Sequence, residues 1–390
     1  MSGRSPWTHV AEAAAALAGA MGVGRFVYTP ILPLMTAQAG LTPQAGANLA
    51  TANYVGYLVG ALAGTLAPGL ARSRAAHHYS LLLLVATLAA MPFTHSTTGW
   101  LVLRLLTGVA SAIVFVVAAS SLLGHLRDPH LRGWGFSGVG AGIALSGLLV
   151  LVVRSVGDWR TAWWAAATLA AVLSAAAWRL RPEPSPSTSD ERHSPARRWF
   201  SALFASYTLE GVGYIIAGTF LVAAIDQGSS GWLGGGAWVV VGLAAAPSAV
   251  LWTWLSRHRS LPDLLLAALL VQAVGIALPA AAGGVVAALI AAFLFGGTFI
   301  GITTIALATG SHLRFPRAVA LLTAGYSVGQ ILGPLAVTPL LRNGYHQALV
   351  VAAVVVLMAA TAATVLRVRF PQASCEDGRG ERSVLGTGRR

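Results

Sequence analysis

The sequence contains no lysine: all 25 of its basic residues are arginine. It is poor in charge of either sign, with 9% Asp, Glu, Lys and Arg against roughly 25% in a soluble domain. It holds one cysteine, Cys375, which excludes an intramolecular disulfide. No group of His, Cys, Asp and Glu has metal-ligand spacing, and no Ser/His/Asp set suggests nucleophilic catalysis. Neither an enzyme, a metal nor a cofactor is therefore expected. Gly138-x-Gly140-x-Gly142 is not a dinucleotide fingerprint, because no strand precedes it and its third glycine is misplaced. Met1 to His9 leads into a full-length apolar run, without the short apolar region and cleavage site of a secretory signal.

What the chain has in quantity is apolar surface. It is 56% hydrophobic over 390 residues, with a mean hydropathy of +0.71. This composition belongs to an all-α, polytopic membrane protein. Twelve apolar spans are predicted, at about 9–36, 45–70, 79–95, 98–124, 133–156, 161–180, 199–225, 234–256, 262–282, 284–310, 317–341 and 347–368. The ninth and tenth are separated only by Ala282-Gly-Gly284. Residues 181–198 are Pro/Ser-rich and charged, which reads as a flexible linker between a six-span half at 1–180 and another at 199–369. The polar tail at 370–390 reads as disordered.

The arginines orient the spans. With the N-terminus inside, the inner segments and the C-terminal end hold twenty arginines, and the outer segments only Arg154, Arg160 and Arg342. That asymmetry is the positive-inside pattern, and it places both termini in the cytoplasm, with the protein in the plasma (inner) membrane. It also accounts for the formal charge of +13 without a nucleic-acid partner. Trp7, Trp100, Trp159 and Trp232 fall near span ends, where an interfacial belt is the ordinary explanation.

The first span departs from plain hydrophobicity at Gly19-Ala-Met-Gly22-Val-Gly24-Arg25, followed by Pro30 and Pro33. A charge near a helix centre costs roughly 2.5–3.5 kcal/mol on insertion scales, so Arg25 marks either a site or a side chain snorkelling to the interface. The tripeptide Gly22-Val-Gly24 recurs as Gly211-Val-Gly213 in span seven, as a parallel repeat of the two halves would produce. Small residues four apart form ridges: Gly56, Gly60 and Gly64 on span two, Gly138, Gly142 and Ser146 on span five, Gly325, Gly329 and Gly333 on span eleven. Such ridges allow close helix packing or sliding. Spans three, six, nine and twelve lack them and read as outer, lipid-facing helices.

Twelve spans, a 6+6 split, a central linker and these ridges resemble the major facilitator superfamily. Gly22-Val-Gly-Arg-Phe-Val-Tyr-Thr-Pro-Ile-Leu-Pro-Leu34, Leu209-Glu-Gly-Val-Gly-Tyr-Ile-Ile-Ala-Gly-Thr-Phe220 and Gly297-Thr-Phe-Ile-Gly-Ile-Thr303 resemble its YbfB/YjiJ-like branch. The resemblance implies that spans one, four, seven and ten line a central cavity whose access alternates as the halves rock. The superfamily's loop after span two usually carries an acid–base latch; Gly64, Leu66, Ala67 and Arg72 fit it, but Pro68 and Gly69 replace the latch. Arg104 with Gly108 fits the Arg-xxx-Gly pattern of span four. Gly333-Pro334 lies on span eleven, whereas the antiporter signature belongs on span five.

Three ionisable residues lie well inside spans: Arg25, Arg104 and Glu210. Burial disfavours the charged form of Glu210 and a nearby arginine favours it, a balance suited to binding and releasing a proton. The alternative is a fixed ion pair. The repeat suggests that Glu210 stands across the cavity from Arg25. Arg104 is expected to support the cavity potential or to snorkel. Tyr28, Asn53, Tyr57, Tyr214, Tyr326 and Gln330 are candidates for binding substrate, the last two one turn apart on one face. Gly22 and Gly24 join the ridge glycines as packing or gating positions. The reading is thus a monomeric secondary transporter of a small molecule, proton-coupled, working by alternating access in a lipid bilayer. Its alternatives are an exporter exchanging drug or metabolite for protons, and a non-transporting sensor or scaffold on the same fold.

Overall fold

The computed structural model describes residues 5–126, 128–180, 197–228, 232–313, 315, 318–368 and 370. Among them lie twelve long helices and no strand. They are α1 (Pro6–Gln38), in three consecutive pieces, then α2 (Pro43–Leu66), α3 (Arg74–Ala90), α4 (Thr97–His125), α5 (Pro129–Val156) and α6 (Trp159–Ala177). They continue as α7 (Arg197–Gly228), α8 (Leu233–Leu255), α9 (Leu261–Ala281), α10 (Val285–His312), α11 (Ala318–Val337) and α12 (His346–Arg367). Most of the expected linker and tail, Cys375 included, falls outside the described residues.

Local chemistry sets the helix ends. Thr42, Ser73, Ser96, Asp128, Asp158 and Ser260 each accept a backbone N–H of the turn they cap. Pro43 and Pro129 open their helices at a position with no N–H to lose. The break expected at Ala282-Gly-Gly284 is present, and Gly284 takes a φ of 96° that a side chain would resist.

Ten of the helices are long and apolar enough to cross a membrane. The two others are α2, which carries Asn48, Asn53, Tyr54 and Tyr57, and α6, which carries Trp159, Arg160, Trp163 and Trp164. These polar and indole groups lower the mean hydropathy without shortening the helix.

Within the first six helices α1 packs on α4, α5 and α6, α2 on α4, and α3 on α4 and α6. Within the last six, α7 packs on α11 and α12, α8 on α10, and α9 on α10 and α12. The main contacts between the two sets are α5 with α8, α2 with α11, and α1 with α7. Helices α3, α6, α9 and α12 make their principal contacts inside their own set. They expose apolar side chains such as Leu82, Val172, Val274 and Met358, consistent with outer positions in lipid.

The glycine ridges singled out from the sequence pack within a set rather than between sets. A Cβ at Gly60 would lie 2.6 Å from the Val109 carbonyl oxygen of α4, and one at Gly333 would lie 2.7 Å from that of Val212 on α7. Gly56 and Gly64 face α4, Gly22 of α1 meets Gly142 of α5, Gly138 faces Ala14, and Gly325 and Gly329 face α7. The contact between sets uses other small residues. Gly140 and Gly147 of α5 meet Ala246 and Val239 of α8, while Gly242 and Gly235 of α8 meet Ala144 and Leu151 of α5. A spacing rule finds small faces, but not which neighbour each one serves.

Candidate functional site

The site begins with a break in α1. Residues Ala18–Arg25 form a π-helical stretch, and the Phe26 N–H reaches back five residues to the Met21 carbonyl at 3.1 Å. Beyond it, the Thr29 N–H bonds Phe26 O at 3.2 Å, so it leaves the Arg25 carbonyl, its ordinary helical acceptor, without a donor. Pro30 has no N–H to offer instead. Arg104 of α4 fills the gap: Nη1 donates to Gly24 O at 3.1 Å and Nη2 to Arg25 O at 3.2 Å. Its guanidinium lies 4.9 Å from the Tyr28 ring centroid, and the residue is only 1% exposed.

Arg104 therefore does not snorkel. Its two ends hold backbone carbonyls instead of pointing into open space. Asn53 is drawn into the same joint, its Nδ2 donating to Arg104 O at 3.0 Å. Tyr28 also turns inward to its own set, its hydroxyl donating to Gly46 O at 2.9 Å.

Arg25 occupies a different kind of place. Its guanidinium carbon stands 4.4 Å from the Tyr57 ring centroid, 5.0 Å from Tyr54 and 5.3 Å from Phe26, close enough for cation–π attraction. Its Nη2 donates to Oε1 of Gln330 on α11, so the contact crosses between the two sets. Its Nε has no partner and the residue is 3% exposed. No carboxylate pairs with it among the described residues.

Further contacts cross between the two sets. Thr29 Oγ1 donates to Gly218 O at 2.5 Å, Tyr54 and Thr219 share a hydroxyl hydrogen bond of 2.8 Å, and Arg154 pairs with Asp226 at 2.8 Å.

An aromatic layer completes the site from the other side. Tyr214 stacks on Phe299 at 5.2 Å, Phe295 at 5.8 Å and Tyr326 at 5.9 Å, and Tyr326 stacks on Tyr207 at 4.4 Å. Phe26 joins it through Phe299 at 6.3 Å. Tyr214 and Tyr326 lie within electrostatic reach of both Arg25 and Glu210.

Glu210 makes no ion pair with Arg25. It is fully buried, and it sits beside Gln272 of α9, a helix of the outer ring. Both of its carboxylate oxygens lack a hydrogen-bond partner, as do both polar atoms of Gln272. The fixed ion pair held open as the alternative is absent among the described residues: Arg25 bonds Gln330, and Glu210 lies beside Gln272. The reason is rotational. Ser206 and Gly213, which flank Glu210 on its helical face, meet α12, whereas Gly211 meets Tyr326 and Tyr214 meets α10. Glu210 falls between these directions, behind the tyrosine layer.

Of the candidates from the sequence, Arg25, Tyr57, Tyr214, Tyr326 and Gln330 thus come together. Tyr28, Asn53 and Arg104 form the neighbouring joint, and Glu210 stands apart.

The family model described as "Uncharacterised MFS-type transporter YbfB" matches residues 17–364. The chain belongs to this family. A crystal structure of a point mutant of the nucleoside transporter NupG is similar to it with a TM-score of 0.72 and 12% sequence identity, over 92% of this chain and 99% of that one. At that identity the likeness shows the fold alone. No curated protein sequence matches.

The sequence reading of this MFS-type transporter passed over Phe26, Tyr207, Gln272, Phe295 and Phe299. Phe295 and Phe299 stand four apart on α10, and that spacing, on a helix that the resemblance assigns to the cavity, was the available signal. Gln272 had a plainer one, as the only amide in α9 and its only polar side chain beyond Asp263 in the first turn.

Proposed function

We propose that this protein is a secondary active transporter of a small molecule carrying an anionic or electron-rich group, working by alternating access and coupled to protons. The observation that carries the reading is Arg25: a buried cation at the junction of the two sets, with an unpartnered Nε–H and, among the described residues, no carboxylate to neutralise it. A buried charge is stable only with partners, and here aromatic faces and one amide supply part of what an anionic ligand would complete. Gln330, Tyr57, Tyr214 and Tyr326 give that ligand hydrogen bonds and stacking surfaces. In this reading the two sets are pseudo-symmetric six-helix halves, supported by the recurrence of the pairings α1–α5, α2–α4 and α3–α6 as α7–α11, α8–α10 and α9–α12. Rocking would then break the Arg25–Gln330, Thr29–Gly218 and Arg154–Asp226 contacts and re-form others. The arginine asymmetry supports an inner-membrane location with both termini cytoplasmic, and Glu210 is the group available to carry a proton.

The test is a thermal-shift screen of purified protein against a metabolite library, run in parallel on Arg25→Ala. A bound ligand stabilises the native state, so anionic or electron-rich compounds should raise the melting temperature of the parent and leave the variant unmoved. Those hits should then be accumulated by proteoliposomes under a pH gradient. Ligands that stabilise both proteins equally would remove Arg25 from the site. Uptake indifferent to the gradient would remove the proton.

A further inference from the structure

Glu210 and Gln272 are each fully buried, face one another from α7 and α9, and leave all four of their polar side-chain atoms unpartnered. No cation faces the carboxyl among the described residues. The titratable groups near it are Tyr207 and Tyr214 of its own helix and Tyr326 of α11. One turn before it on α7, Ser206 Oγ takes the Ala359 carbonyl of α12 at 2.8 Å.

An ionised carboxylate is an acceptor only, so it could use the Gln272 amide N–H but would set its charge against the amide oxygen. Left unpaired in apolar surroundings, such an anion is costly. The carboxylic acid has the opposite character. It offers one O–H donor and one carbonyl acceptor, the complement of a primary amide's carbonyl and N–H.

We propose that Glu210 and Gln272 form a proton-binding site within the last six helices, in which the acid O–H donates to Gln272 Oε1 and the Gln272 Nε2–H donates to the acid carbonyl. Losing the proton breaks the O–H bond and leaves an anion with one donor, so release requires water to reach the layer behind Tyr214 and Tyr326. The site is thus separate from Arg25, and a proton and a substrate need not compete for the same atoms. The pair stands on two buried side chains with unsatisfied polar atoms on helices that pack together; its role as a carrier rests on the transporter reading above.

Infrared spectroscopy of the purified full-length protein tests the pair without any substrate. At neutral pH the parent-minus-Glu210→Gln difference should contain the carbonyl stretch of one protonated, hydrogen-bonded carboxylic acid. Gln272→Met, which keeps the side-chain length and removes both hydrogen bonds, should shift that band towards the position of a free acid and change the pH at which it gives way to carboxylate. Because Gln272→Met is read in a chain that still has Glu210, the test survives failure of Glu210→Gln to fold. A carboxylate signal in place of the acid band, or a band indifferent to Gln272→Met, would overturn the pair. A band that behaves as expected in a transporter whose Glu210→Gln variant still accumulates substrate under a pH gradient would keep the pair and overturn its role as carrier.

Discussion

Helices α1 and α7 carry the same Gly-Val-Gly, yet one is broken and the other runs unbroken from Arg197 to Gly228. The difference lies in the residues C-terminal to the tripeptide. In α1 it is succeeded by Arg25, Pro30 and Pro33; in α7 the corresponding stretch has no proline, and Tyr214 stands where α1 has Arg25. Proline removes a donor and frees a carbonyl; in α1 the carbonyl opposite Pro30, that of Phe26, takes the Thr29 N–H instead, and the Arg25 carbonyl this leaves is met by Arg104. The broken helix therefore holds its charge at the junction of the two sets, with carbonyls clamped behind it. The continuous helix turns its ionisable group one step aside, toward α9. Pseudo-repeated sequence thus gives two buried ionisable groups in different surroundings.

Placing a proline in the unbroken helix tests the comparison most severely. Thr219 occupies the position of Pro30 relative to the shared glycines, and α7 has no arginine to clamp the freed carbonyl. Thr219→Pro should cost about 3 kcal/mol or more, seen as loss of a folded, monodisperse peak on size exclusion. A stable variant would show that α7 tolerates a break as α1 does.

Arg104→Ala comes next. It removes two charge-assisted hydrogen bonds to backbone carbonyls, together worth roughly 3 kcal/mol, and chemical denaturation in detergent should show a loss of that order. Arg104→Lys should recover less than half, because a compact ammonium cannot span two carbonyls as a planar fork does.

A smaller effect separates cause from coincidence. If Pro30 creates the need for Arg104, then Pro30→Ala should soften the loss caused by Arg104→Ala by about 1 kcal/mol in a double-mutant cycle. Additive losses would mean that the clamp answers to the π stretch alone. The smallest effect belongs to Glu210→Gln. Exchanging an acid for an amide of the same shape should move stability by less than about 1 kcal/mol, in contrast to the arginines, and a large destabilisation would show that the carboxyl is a structural ion.

How much of this the sequence could tell varied with the range of the physics involved. Helix number, position and the break at Gly284 were legible because hydrophobic length and glycine conformation are local. Arg25, Glu210 and the Tyr326–Gln330 face were legible because polarity in an apolar run is conspicuous. Their partners were not. Which neighbour a helical side chain meets depends on the rotation of its helix, and in α1 that rotation is reset by a π stretch that no periodicity announces. The ridge at Gly60 was visible, but whether it served α4 or a sliding surface depended on where α4 lay. Gln272 was conspicuous only once Glu210 was seen to face it.

The π stretch of α1 also bears on how this helix can change length. An α-helix that loses one residue rotates everything before the loss by about 100° relative to everything after it. In α7 such a deletion would turn Phe200 and Leu203 out of the core. Between Ala18 and Arg25 the wide turns already hold a surplus residue. A deletion there can be absorbed by tightening to an ordinary α turn, so the segment Pro6–Leu17 keeps its seat on α5. Insertions and deletions should therefore be borne in this one stretch of the helix, where they would re-aim Arg25 and leave the rest of the bundle as it stands.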